Sequence, residues 1–245
     1  MSAACTARPG VLVVGHGERG GRADNRSLLA LVERIQTLLG SMAVVRAAVL
    51  NGDPGLELGI ADLAREACDG VIAYPLFMSD GFFTREELPR LLTKHCTSLP
   101  WQITSPLGLE NEVPSLIARR SLMEAGATGW PLHETRLLIV GHGSSKSRAP
   151  AERVNAVATE LRRQMGFACV EAAFLEEAPF LHEQIASRWQ HSIVVGFFSG
   201  EGLHAREDVP AALVGTSANY LGAVGGWPEI AALVASQLHR AIGLI

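Results

Sequence analysis

Three side chains in this sequence are of the types that together hold a divalent metal ion: His142, Glu176 and His204. His142 closes the run LLIVGHG at 137–143, Glu176 follows the apolar run that ends at Leu175, and His204 lies within SGEGLHAREDVP at 199–210. Two imidazole nitrogens and one carboxylate suit a borderline ion such as Co2+, Fe2+, Ni2+ or Zn2+. A position left open would make the ion exchangeable rather than structural. The Gly-His-Gly turn also admits blander readings, a histidine bonded to a nearby carbonyl or a glycine-rich turn that cradles phosphate. It does not continue into Gly-Lys-Ser/Thr, so it is not a P-loop. A lone His204 in a glycine-rich loop would simply be solvated, and only convergence with the other two gives it a role.

Convergence requires a scaffold, and the sequence repeats one. VLVVGHG at 11–17 returns as LLIVGHG at 137–143, with Arg22 and Arg148 each six residues after the histidine. VRAAVL at 45–50 returns as VEAAFL at 170–175, followed by Pro54 and Pro179. REELP at 85–89 returns as REDVP at 206–210, and Leu107-Gly108 with Pro114 matches Leu221-Gly222 with Pro228. Landmarks recurring in one order mark a duplication. The two halves span about 1–130 and 131–245 and meet near GATGWP at 126–131.

Each half alternates short apolar runs with helical periodicity. Residues 11–15, 44–50, 71–77 and 102–105 are expected as strands. Leu28, Leu31, Val32, Ile35, Leu38 and Leu39 share one helical face, repeated by Val154, Val157, Ala158, Leu161 and Met165. Pro54 and Pro179 are placed at helix starts. Strands alternating with helices predict an α/β chain of two tandem, doubly wound parallel-sheet lobes with a cleft between them. Ligands in such folds bind beyond the carboxyl ends of the strands. His142, Glu176 and His204 stand at the ends of the first three strands of the second half.

The equivalent positions of the first half are His16, Asn51 and Phe83. Neither Asn51 nor Phe83 supplies an anionic or imidazole ligand. The first lobe is therefore a degenerate copy, with Phe82 and Phe83 offering an apolar face to a flat ligand or else lying in the core.

Composition narrows the rest. Of 245 residues 48% are apolar and 19% charged, the balance of an ordinary globular chain. A net charge of −4 gives no basic nucleic-acid surface. No apolar run approaches the roughly 20 residues that span a bilayer, and the N-terminus lacks a signal-peptide core. Cys5, Cys68, Cys96 and Cys169 form no C-x-x-C pair and are expected as small buried hydrophobes of a reducing compartment. A cytoplasmic protein is expected, and internal duplication makes a monomer sufficient.

The residues VGHG, FLE and GxHxREDVP resemble the CbiX/SirB family of class II tetrapyrrole chelatases, as two tandem lobes over nearly the whole chain. The resemblance implies insertion of Co2+ or Fe2+ into sirohydrochlorin, for cobalamin or siroheme biosynthesis. His142 and His204 would then bind the incoming metal, Glu176 would assist, and the tetrapyrrole would lie in the inter-lobe cleft. Arg148, Lys146 and Arg206 would pair with its carboxylates, and His16, Phe82 and Phe83 would line the substrate side. One departure is that two-lobe members carry the active histidine pair in the first lobe, whereas here the second holds it. The metal is a substrate, and no permanently bound or redox cofactor is implied, because insertion changes no oxidation state. The same residues also leave open a non-catalytic metal or tetrapyrrole carrier, or an α/β enzyme holding a phosphorylated ligand at the Gly-His-Gly turns.

Overall fold

Hydrophobic strands flanked by glycine fold here as parallel sheets covered on both faces. The computed structural model describes residues 8–17, 25–145, 147–185 and 189–243. The first half runs β1 (Gly10–Gly15), α1 (Arg26–Leu39), β2 (Val44–Val49), α2 (Leu56–Arg65), β3 (Val71–Pro75), α3 (Leu88–His95), β4 (Trp101–Ile103) and α4 (Glu112–Thr128). The second half repeats it as β5 (Thr135–Gly141), α5 (Ala149–Gln164), β6 (Cys169–Phe174), α6 (Leu181–Ile185), β7 (His191–Gly196), α7 (Val209–Leu213), β8 (Ala218–Ala223) and α8 (Ile230–Ile242). The sheets have the same order, β2-β1-β3-β4 and β6-β5-β7-β8, and every pair is parallel. β1 and β5 are therefore central, with neighbours on both sides.

The central strands read as unbroken apolar runs because both of their faces are covered. Val11 to Val14 and Leu137 to Val140 have no solvent exposure. Leu12 and Val14 pack with Leu56, Ile60 and Leu63 of α2 and with Leu88 and Leu92 of α3. By strand alternation, Val11 and Val13 turn to the opposite face, where α1 places Leu28, Leu31, Val32 and Ile35. The second sheet repeats this with Leu138, Val140, Leu181, Val194, Val209 and Leu213. Burying each such side chain contributes about 1.5–3 kcal/mol.

The compact units are not the two halves of the repeat. One comprises residues 8–77, 82–106 and 228–243, the other 78–81 and 107–227. In the first, α8 lies against α1, and Arg34 of α1 donates to the Pro228 carbonyl just ahead of α8. In the second, α4 lies against α5 and β7, and Asn219 donates to Glu124 of α4 at 2.8 Å. The sequence boundary near residue 130 is thus a boundary of the duplication, while each unit takes one helix from the other half, α8 in the first and α4 in the second.

Two local readings are corrected. Pro54 and Pro179 precede their helices by two residues, and their carbonyls instead accept hydrogen bonds from Val49 (2.8 Å) and Phe174 (2.9 Å), which extend the sheet edge. The structural counterpart of Gly108 is Gly225, not Gly222. Both lie in single 3-10 turns, 107–109 and 224–226. A Cβ on Gly108 would overlap the Met78 backbone, and one on Gly225 the Ser199 backbone. Cys68 and Cys96 are buried and Cys169 half-buried, all as free thiols, while Cys5 lies outside the described residues. Among the described residues no helix is long and apolar enough to cross a membrane.

Candidate metal centre

Where β5 and β6 end, their pairing continues for two more residues: Leu175 N–H donates to the Gly141 carbonyl at 3.2 Å and Glu176 N–H to the His142 carbonyl at 2.9 Å. This fixes His142 and Glu176 side by side. Gly143 then turns the chain at φ 79°, a left-handed conformation that glycine adopts without steric cost. Glu177 locks the turn, its Oε1 accepting the Ser144 N–H at 2.8 Å. That carboxylate occupies the donor a phosphate would need, so the turn beside His142 is not built as an anion cradle.

His204 arrives from the third strand. After β7 the chain enters a π-helical turn, His204–Asp208, that leads into α7 with Pro210 in its first turn. Buried Ala205 and Val209 anchor the turn to the core and leave His204 on its outer side. Gly225 N–H donates to the Phe198 carbonyl at 2.9 Å, which seats the preceding loop.

The two imidazoles meet edge to face, with ring centroids 4.3 Å apart at 82°. Their Nε2 atoms are 3.0 Å apart. His142 Nδ1 lies 2.9 Å from the Gly143 carbonyl and His204 Nδ1 2.6 Å from Asp208 Oδ2. Both partners are acceptors, so each Nδ1 carries a hydrogen, and the remaining ring nitrogen, Nε2, faces the other ring. Two facing ring nitrogens at this distance can share one cation. Nitrogens about 2.1 Å from one ion and at right angles to each other stand about 3 Å apart, close to the observed separation. Glu176 Oε1 lies 3.5 Å from His142 Nε2 with its side chain 57% exposed. Among the described residues no group of three or more His, Cys, Asp and Glu is already arranged around a metal position. The centre is an open pair of nitrogens with a carboxylate at its rim.

Of the other residues singled out from sequence, Arg148 is almost fully exposed beside Glu152 at 3.7 Å. Arg206 is exposed on the π-helical turn, and Asp208, one of the acidic neighbours within its reach, is engaged by His204. Lys146 and Arg22 lie outside the described residues. In the first unit, His16 and Phe83 meet edge to face at 4.6 Å and 62°, and Phe82 packs on Phe83 at 5.5 Å. Phe82 is 54% and Phe83 39% exposed, so neither is a core residue. The sequence reading passed over Asp208 and Glu177. Asp208 is a carboxylate four residues after His204, but in sequence it also stands two residues after Arg206 and next to Glu207, which leaves its partner open.

The family pattern named CbiX matches residues 10–123 and again 136–241. A solved structure described as CbiX, the terminal enzyme for biosynthesis of siroheme in denitrifying bacteria, is 35% identical, with 95% of this chain and 99% of that one covered and a TM-score of 0.81. SirB from Bacillus subtilis with Fe3+ shares the fold at 17% identity, 96% coverage of each chain and a TM-score of 0.78. A protein of Halobacterium salinarum named probable sirohydrochlorin cobaltochelatase is 24% identical over 224 residues, 82% of this chain and 75% of its own. With a pattern match in each half and a fold shared along nearly its whole length, the chain belongs to the CbiX family.

Proposed function

We propose that this protein inserts a divalent metal ion, Co2+ or Fe2+, into sirohydrochlorin, and that it does so at His142 and His204. The observation that carries this reading is the pair of Nε2 atoms facing each other at 3.0 Å with both Nδ1 atoms committed to acceptors. The names of its relatives, a cobaltochelatase and an enzyme of siroheme biosynthesis, support the same substrate class.

In this reading the metal is a substrate held by two nitrogens, which leaves most of its coordination sphere to water and to the entering macrocycle. Few protein ligands favour release, since each nitrogen of the ring can replace a water without first displacing the protein. Glu176 offsets the ion's charge and relays the two pyrrole N–H protons to water, one after the other, as they are lost. Arg148 and Arg206, both exposed, pair with carboxylates of the tetrapyrrole. Phe82 and Phe83 of the first unit present an apolar face to a flat ligand, and His16 packs against Phe83 there. The chain works in the cytoplasm and needs no resident cofactor.

The test uses purified protein with sirohydrochlorin and Co2+ or Fe2+. The macrocycle's absorbance should change faster than the spontaneous rate. His204→Ala should slow it by about a hundredfold or more, and His16→Ala, which leaves the metal centre intact, by far less. Equal rates in both variants, or a wild-type rate no faster than the uncatalysed one, would refute the assignment.

A further inference from the structure

The second unit holds a carboxylate that the chemistry above does not use. Asp208 closes the π-helical turn that His204 opens, and its Oδ2 lies 2.6 Å from His204 Nδ1. The duplication supplies a control for this contact. Glu87 closes the corresponding turn of the first unit, Phe83–Glu87, with a phenylalanine at the histidine's place. With no ring nitrogen to serve, Glu87 is gripped by Arg90 through two hydrogen bonds of 3.0 and 2.8 Å. The position of Arg90 is Ala211 in the second unit, so no cation competes for Asp208 from that place.

We infer that Asp208 is the positioning residue of the metal centre, its carboxylate holding His204 so that Nε2 faces His142 Nε2. The inference rests on the chelatase reading for its substrate and on the geometry for its mechanism. Asp208 acts in three ways. It keeps the hydrogen on Nδ1 and the lone pair on Nε2. It stops rotation of a ring whose side chain is 39% exposed. It also makes the bound nitrogen a stronger donor, because a carboxylate on the far nitrogen pushes electron density into the ring. Asp208 touches neither metal nor macrocycle.

Three variants test this in the full-length protein: Asp208→Asn, Asp208→Glu and Ala211→Arg. Binding of Co2+ alone is followed by its visible absorption, and insertion into sirohydrochlorin is followed with the KM of each substrate measured separately. Asp208→Asn should weaken Co2+ binding and raise the KM for Co2+ about 10- to 100-fold, with the KM for sirohydrochlorin and the melting temperature unchanged. Asp208→Glu should recover part of the loss. Ala211→Arg, which recreates the competitor seen at Glu87, should shift Co2+ affinity in the same direction by less. Unchanged Co2+ affinity in Asp208→Asn, or a matching rise in both KM values, would overturn the inference. If the wild type binds Co2+ but inserts none, while Asp208→Asn still weakens binding, the chelatase reading fails and the positioning role stands.

Discussion

In the first unit His16 packs against Phe83 with ring centroids 4.6 Å apart, and in the second His142 packs against His204 at 4.3 Å. The backbone does the same thing twice. A glycine at positive φ follows each histidine, Gly17 at 99° and Gly143 at 79°. Asn51 N–H donates to the His16 carbonyl at 3.1 Å as Glu176 N–H does to His142. A π-helical turn then brings the third residue to the same place. The residues that separate the two include Phe83 for His204, Asn51 for Glu176, Gly52 for Glu177, Glu87 for Asp208 and Arg90 for Ala211. The scaffold therefore sets where a side chain stands, and only its identity decides whether a metal can be held there.

The comparison makes its largest prediction in the direction of gain. Replacing Phe83 with His, Asn51 with Glu and Arg90 with Ala should give the first unit a Co2+ site of its own. It would be seen as a second binding event in a Co2+ titration, and its persistence in a His204→Ala background would place it in the first unit. A titration identical to that of the wild type would mean that the scaffolds differ in more than these residues.

The cores should respond alike. Leu12→Ala and Leu138→Ala each empty a fully buried site on a central strand and should each cost about 2–5 kcal/mol by denaturant unfolding. A cost confined to one of them would show that the units are not equivalent in packing.

Sequence alone exposed most of this architecture because its strongest signals are local. Central strands with no exposed residue advertise themselves as apolar runs, and a repeat in fixed order reveals a duplication without any knowledge of contacts. The gathering of His142, Glu176 and His204 was likewise readable from parallel strands ending at one edge. What stayed hidden was long-range choice. The apolar faces of α4 and α8 demand a partner without saying which sheet supplies it. Gly222 stood in a Leu-Gly pair that mimicked Leu107-Gly108, whereas the close backbone approach to Ser199 belongs to Gly225. Glu177 and Glu176 are neighbours of one type, and only the turn at Gly143 decides which of them braces the loop and which faces the histidine.

That backbone approach gives a smaller test. Gly108→Ala and Gly225→Ala should each lower stability by about 1–3 kcal/mol through overpacking. Only Gly225→Ala should also lower metal insertion by more than the loss of folded protein explains, since it displaces the loop leading to His204. Equal effects on activity would detach that loop from the metal centre.

The smallest effect concerns Cys169, which stands where the first unit has Val44. Burial, with a hydrogen bond and negative charge from Glu171, pushes its thiol up to about 11. A group whose folded value is raised favours the folded state below its unfolded value, near 9, and loses that contribution as pH climbs toward 11. The melting temperature should therefore fall slightly more between pH 9 and 11 in the wild type than in Cys169→Val. Parallel curves would place the thiol in a more open setting.

The crossed allotment of α4 and α8 has a structural consequence. Two tandem copies of one fold would ordinarily be separable. Here the stretch that encodes the first half also encodes α4, which lies against β7, so removing it would strip the second sheet of one of its covering helices. Each half is tied to the other, because each compact unit includes a helix that the other half encodes.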